Sequence, residues 1–144
     1  MKPSKFIKNA WKLDFVISSA DIAKLDVDFI SNLMILAEDN DICVHRIDFS
    51  KYSDAYEAIR AEENTSFVAA VTTEHESKTL LLFDNCDNLS ALDVDLTYTL
   101  REILTTRLSG MTQSVFIAQK KSIELLFCDN SAAFYQSSFS ITDL

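Results

Sequence analysis

Apolar and polar positions along the chain alternate between short continuous runs and longer stretches with three- and four-residue spacing. Asp14–Ser18, with Phe15, Val16 and Ile17 at its centre, predicts a first strand. Val27, Ile30, Leu33, Met34 and Ala37 then mark one face of a helix ending near Glu38, with Asp26 as its expected N-cap. Ile42–Asp48 alternates and reads as a second strand. Tyr52–Glu62 reads as a helix capped by Ser53, while Phe67–Thr73 fits either a strand or a buried helix. Thr79–Phe83, closed by Asp84, is apolar throughout and predicts a strand buried on both faces. Leu89, Leu92, Leu96, Leu100, Ile103, Leu104 and Leu108 mark a long helix, and Gly110 stands where a left-handed C-terminal cap is expected. Ser114–Ala118 predicts a strand, Ile123–Phe127 a short helix, and Ser137–Ile141 a last strand.

Strands alternating with helices predict an α/β domain with three layers. The expected architecture is a doubly wound, mainly parallel sheet of about five strands, in one domain spanning residues 1–144. No repeat, low-complexity stretch or linker divides the chain. Composition sharpens this. The 144 residues include one glycine and one proline, where average usage would give about ten and about seven. Such scarcity argues against a fold of many tight hairpins, whose turns want glycine, and against any glycine-rich phosphate loop.

Thirteen basic against 22 acidic side chains give a net charge of −9, the wrong sign for a general binder of nucleic acid or anionic membrane. The first thirteen residues depart from that balance. Lys2, Lys5, Lys8 and Lys12 share one helical face, with Phe6, Ile7, Ala10, Trp11 and Leu13 on the other. A basic amphipathic helix of this kind suits a membrane surface or a partner. It equally suits a first helix docked on the core with its lysines facing an acidic domain, and that is the stronger expectation. Cys43, Cys86 and Cys128 are widely spaced, and His45 and His75 are the only imidazoles, so neither a zinc centre nor a disulfide framework is expected. With no cleavable signal and no apolar run of membrane-spanning length, the chain reads as cytoplasmic, with inert thiols.

Two segments bear on chemistry. Leu80-Leu81-Leu82-Phe83-Asp84 is an apolar strand ending in an aspartate, the form of a Walker B strand, followed by the amide Asn85 where a base would be wanted. Ser18-Ser19-Ala20-Asp21-Ile22-Ala23-Lys24-Leu25 has the position and spacing of a P-loop. Ser18 and Ala23 replace its glycines, Lys24 is kept, and Leu25 replaces the metal-binding hydroxyl. Side chains at the glycine positions hinder the backbone turn that aims N–H groups at phosphate.

In element order and in these segments the chain resembles the P-loop AAA+/STAND ATPase superfamily. Leu100-Arg101-Glu102-Ile103-Leu104 and Ser114–Ala118 are similar to the helix and sensor strand that follow Walker B, with Gln119 and Lys120 at the sensor position. Ile123–Tyr135 and Phe139–Leu144 resemble the approach to the fifth strand and the strand itself. The resemblance spans most of residues 14–144. It implies a P-loop NTPase-like fold, a degenerate nucleotide site at Ser18, Ala23, Lys24, Asp84 and Asn85, and Arg101 and Arg107 where oligomeric members carry arginine fingers. The family's helical lid is expected to be missing, since no sequence follows Leu144.

Each residue also has a plainer reading. Asp84 can cap its own turn, Lys24 can be a solvated residue near a helix start, and His45 can be a structural histidine. Asp84, Asp87, Asp93 and Asp95 suit a solvated acidic rim better than a cation site, and Arg101 and Arg107 suit an exposed helix face. Ten Phe, four Tyr and one Trp fall mostly in apolar runs, as core packing requires. The expectation is therefore a pseudo-ATPase, a non-catalytic module without catalytic residues, metal or cofactor. It would bind a protein partner or itself as a homo-oligomer, with no direct contact to nucleic acid and no membrane span. Two alternatives stand beside it: a nucleotide-binding protein using Lys24 and Asp84, and a small acidic inhibitor or immunity-type protein of a mobile element.

Overall fold

A computed structural model describes residues 1–92, 94–107 and 110–142, so Asp93, Leu108, Ser109, Asp143 and Leu144 lie outside the described residues. Five strands, β1 (Ile17–Asp21), β2 (Cys43–Asp48), β3 (Thr79–Asp84), β4 (Thr112–Ala118) and β5 (Phe139–Ser140), form one sheet in the order β2-β3-β4-β1-β5. All four pairings are parallel. The helices are α1 (Pro3–Asn9), α2 (Phe29–Asp39), α3 (Ala55–Arg60), α4 (Thr65–Thr72), α5 (Val94–Glu102) and α6 (Lys120–Ile123). Wider π-type turns at Ile103–Arg107 and Glu124–Cys128 extend the last two.

The α/β architecture follows from burial on both faces of the sheet. Alternate residues of the central strands supply two separate cores. Leu80, Leu82, Val115 and Ile117 meet Phe6 and Ala10 of the α1 segment and Phe29, Leu33 and Ala37 of α2. Leu81, Phe83 and Phe116 meet Ala55 and Ala58 of α3, Phe67, Ala70 and Val71 of α4, and Leu104, Phe127 and Phe134. The second core is largely aromatic: Phe83 and Phe116 lie parallel with centroids 4.2 Å apart, and Phe67 meets Phe83 edge-on at 5.1 Å. The ambiguous 67–73 segment is thus helix as far as Thr72, with Phe67, Ala70 and Val71 on its buried face. Leu13 points away, 61% exposed, while Trp11 donates from Nε1 to the Met111 carbonyl at 2.7 Å. The first helix therefore docks on the domain.

Several expected boundaries are corrected. β1 begins at Ile17 and runs to Asp21, three residues later than its apolar pattern indicates. Phe15 leaves the strand to stack on Phe139 at 4.0 Å, and Asp14 and Val16 take positive φ angles of 52° and 64°. Helix α2 starts at Phe29, and neither Asp26 nor its N-cap Asp28 caps it through a side chain. Asp54, not Ser53, caps α3, its Oδ1 accepting from the Glu57 N–H at 2.8 Å. The expected long helix at 89–108 divides into a 3₁₀ segment, Cys86–Ala91, followed by α5 and its π-type extension.

Gly110 is not a left-handed cap, because no glycine has positive φ. That conformation falls instead to Asp14, Val16, Asp41, Asn85 and Gln136. At the end of α2, Asp41 donates to the Glu38 carbonyl at 3.1 Å and Ile42 to that of Ala37 at 2.9 Å, closing a Schellman motif around an aspartate.

Candidate functional site

The β1–α2 connection leaves the sheet toward one face, whereas the elements that follow β2, β3 and β4 pack on the other. The carboxyl ends of β1 and β4 are adjacent, so they flank the crevice where chains diverge in an open α/β sheet. An open groove of about 540 Å³ lies at this edge. Ile22, Leu25, Val27, Ile30 and Met34 of the β1–α2 segment line it with Ile117 of β4, and Arg46, Asp84 and Asn85 close its polar end.

The polar end is built by register. Asp48 pairs with Asp84, so two carboxylates stand side by side at the ends of β2 and β3. Arg46, two residues before Asp48 and on the same side of β2, reaches across to Asp84. Its Nε donates to Asp84 Oδ2 at 3.0 Å and its Nη2 forms an ion pair with the same oxygen. The Asp84 side chain is 5% exposed and that of Arg46 39%, so the carboxylate is the desolvated partner.

Asn85 follows in the left-handed region, with φ 49°, and its Nδ2 donates to Asp48 Oδ1 at 3.1 Å. The Ser50 N–H and hydroxyl donate to that same oxygen. Burial pushes the Asp48 carboxyl up, but these hydrogen bonds and the nearby Arg46 charge outweigh it and hold the pKa below the usual value. The acid pair at the strand ends is thus occupied by the chain's own groups: the Arg46 guanidinium balances Asp84, and the Asn85 amide with the Ser50 N–H and hydroxyl hydrogen-bond the Asp48 carboxylate.

The P-loop-like segment takes a different shape from the one its spacing suggests. Ser18 lies inside β1, fully buried, pairing with Val115, and its hydroxyl has no hydrogen-bond partner. Asp21 turns the chain by accepting the Ala23 N–H at 3.1 Å. Lys24 ends that 3₁₀ turn, exposed and five residues before α2 starts, so it does not open a helix. Of the five predicted site residues, Asp84 and Asn85 share the groove; Ser18, Ala23 and Lys24 are not among its lining residues.

Gln119, at the sensor-like position, donates its N–H to Asp87 at 2.9 Å, and Lys120 opens α6. Arg101 donates to the Ser137 hydroxyl at 3.0 Å. The Arg107 side chain and Asp93 lie outside the described residues. Among the described residues no three His, Cys, Asp or Glu side chains stand ready around one metal position. Likewise no described helix is long and apolar enough to cross a membrane.

Two features escape the sequence reading. Arg46 carries no motif; its role depends on register with β3. The two histidines, thirty positions apart, meet with ring centroids 6.4 Å apart, and Cys43 Sγ lies 3.4 Å from His45 Nε2. Burial, and then the neighbouring His75, lower the pKa of His45.

Comparison of the chain with protein-family models, with curated proteins and with solved structures returned no match.

Proposed function

We propose that the protein is a non-catalytic, P-loop-like interaction module, a pseudo-ATPase that binds a protein partner or a second copy of itself through the groove at the carboxyl edge of its sheet. One observation carries this reading: the Walker-B-like carboxylate Asp84 is neutralised by Arg46, and its groove is walled by apolar side chains. A nucleotide centre needs that carboxylate for magnesium and a ring of backbone N–H groups for phosphate. Here β1 continues as strand through Asp21, over the first four positions of the P-loop-like segment that starts at Ser18.

The rest of the groove suits a protein surface. Among its lining residues Val27 is fully exposed and Ile22 is 38% exposed. Apolar surface of this kind favours association through release of ordered water. The free thiols of Cys43, Cys86 and Cys128 fit a reducing, cytoplasmic setting.

Calorimetric titration with Mg-ATP, alongside thermal melting, tests the reading. The expected result is no binding heat and an unmoved melting temperature. Saturable binding, or a rise of several degrees with millimolar Mg-ATP, overturns it.

A further inference from the structure

At one edge of the sheet, β2 ends the strand order and pairs only with β3. The Cys43 N–H donates to the Lys78 carbonyl at 3.0 Å, so Cys43, His45 and Ile47 turn their backbone groups toward β3. Val44, Arg46 and Asp48 turn theirs outward, where they meet no hydrogen-bonding group of the described residues. The strand is six residues long and keeps an unbroken register with β3, with neither proline nor bulge to blunt it. The other edge strand, β5, has only two residues.

The side chains on this edge complement themselves. Arg46 and Asp48 carry opposite charges on the same side of β2. Arg46 engages Asp84 through Nε and Nη2, and its Nη1 has no partner among the described residues. Every hydrogen bond that Asp48 accepts falls on Oδ1, so its Oδ2 is likewise unmatched among them. An open recess of about 220 Å³ borders Arg46 and Asp48, between the strand edge and Tyr52 and Asn64.

We propose that the outer edge of β2 pairs with β2 of a second copy, antiparallel about a two-fold axis at Ile47, joining two five-stranded sheets into one. Arg46 then stands opposite Asp48 of the second copy. Such a pair exchanges both of its N–H···O=C bonds, and the two-fold axis repeats the exchange. The same register brings Arg46 Nη1 to Asp48 Oδ2 across the axis, twice. An axis at Arg46 sets two guanidinium groups against each other, and one at His45 sets Arg46 against Val44, with no charge to meet. The proposal rests on the strand edge and not on the groove reading, although Arg46 borders both.

The test begins with sedimentation of the reduced full-length chain. Species of twice the monomer mass should grow in at concentrations below about 1 mM; a monomer throughout overturns the proposal. In native hydrogen exchange the Arg46 and Asp48 amides should gain protection as the dimer forms, while those of Cys43, His45 and Ile47 stay protected at every concentration. Unchanged exchange at Arg46 and Asp48 overturns it. Asp48→Lys sets like charges opposite each other and should weaken dimerisation at least about tenfold. Glu102→Lys makes the same charge change on the exposed face of α5 and should not weaken it. A dimer that survives Asp48→Lys, or that Glu102→Lys weakens equally, uses another surface. Spin labels on Cys43 in Cys128→Ser read the register. Cys43 lies four positions from the axis, so the labelled backbone positions should be about 27 Å apart at about 3.4 Å per residue. A separation of about 14 Å places the axis at His45 and overturns the charge-matched register.

Discussion

Replacing Arg46 should cost more than replacing the carboxylate it faces. Asp84 has a side chain 5% exposed and Arg46 one 39% exposed, so the two members of the pair differ in access to water. Arg46→Met strands a charge at the buried end of β3. Breaking a fully buried pair this way costs about 3–5 kcal/mol, and water reaching the position vacated by an exposed guanidinium reduces this to about 2–3 kcal/mol. Asp84→Asn preserves shape and leaves a guanidinium that solvent can hydrate, so it should cost about 0.5–1.5 kcal/mol. Combining them removes the stranded charge, and the double variant should be about 1–2 kcal/mol more stable than the sum of the single losses implies. Urea denaturation followed by circular dichroism reads these differences. With a slope of roughly 1–3 kcal/mol per molar, Arg46→Met should lower the midpoint by about 1 M. If Asp84→Asn were the costlier change, or if the losses simply added, the pair would not hold the strand ends together and the reasoning would fail.

Other outcomes follow from particular residues. Asp41→Gly should raise stability by about 0.5–1 kcal/mol in the same denaturation assay, because it relieves a left-handed aspartate at a Schellman position and removes a negative charge from a helix C-terminus. Gly110→Ala should be neutral or stabilising by up to about 1 kcal/mol, since its φ is not positive and an added Cβ meets nothing within 4 Å. Under native conditions a thiol reagent should label Cys43 and Cys128 rapidly and spare Cys86, whose complete burial, followed by the charge of Asp87, pushes its thiol pKa up; denaturant should release the third thiol. His45 is depressed below its unfolded value, so in acid the unfolded chain binds a proton that the folded chain resists. Stability should fall as pH drops from about 7 through the unfolded histidine value of about 6.5, and His45→Gln should flatten that slope in melts between pH 7.5 and 5.5.

The sequence by itself determined the layers. Runs such as Leu80–Phe83 and Val115–Ala118 are too continuously apolar for a sheet with one wet face, so helices had to cover both sides. It also located Asp84 and Asn85 at a strand end, because polar residues close the apolar run there; that the Asp84 carboxylate stays buried against Arg46 was not legible. The first strand was legible, but Ser19 hid its continuation to Asp21, since a small polar residue in a buried strand looks like loop; Ser19 satisfies its hydroxyl with Ser138, 119 positions away. Glycine scarcity was legible, but which residues adopt left-handed backbone was not, because neighbouring elements impose that conformation on Asp41 and Val16.

Only the tertiary structure decided what the candidate site is. It placed Arg46 over Asp84 through parallel register, turned Lys24 outward in a short 3₁₀ turn, and brought Cys43, His45 and His75 together at the other end of β2. Local pattern records which residues must be buried. Which charge meets which depends on strand order and register, and these are set by the packing of the whole chain.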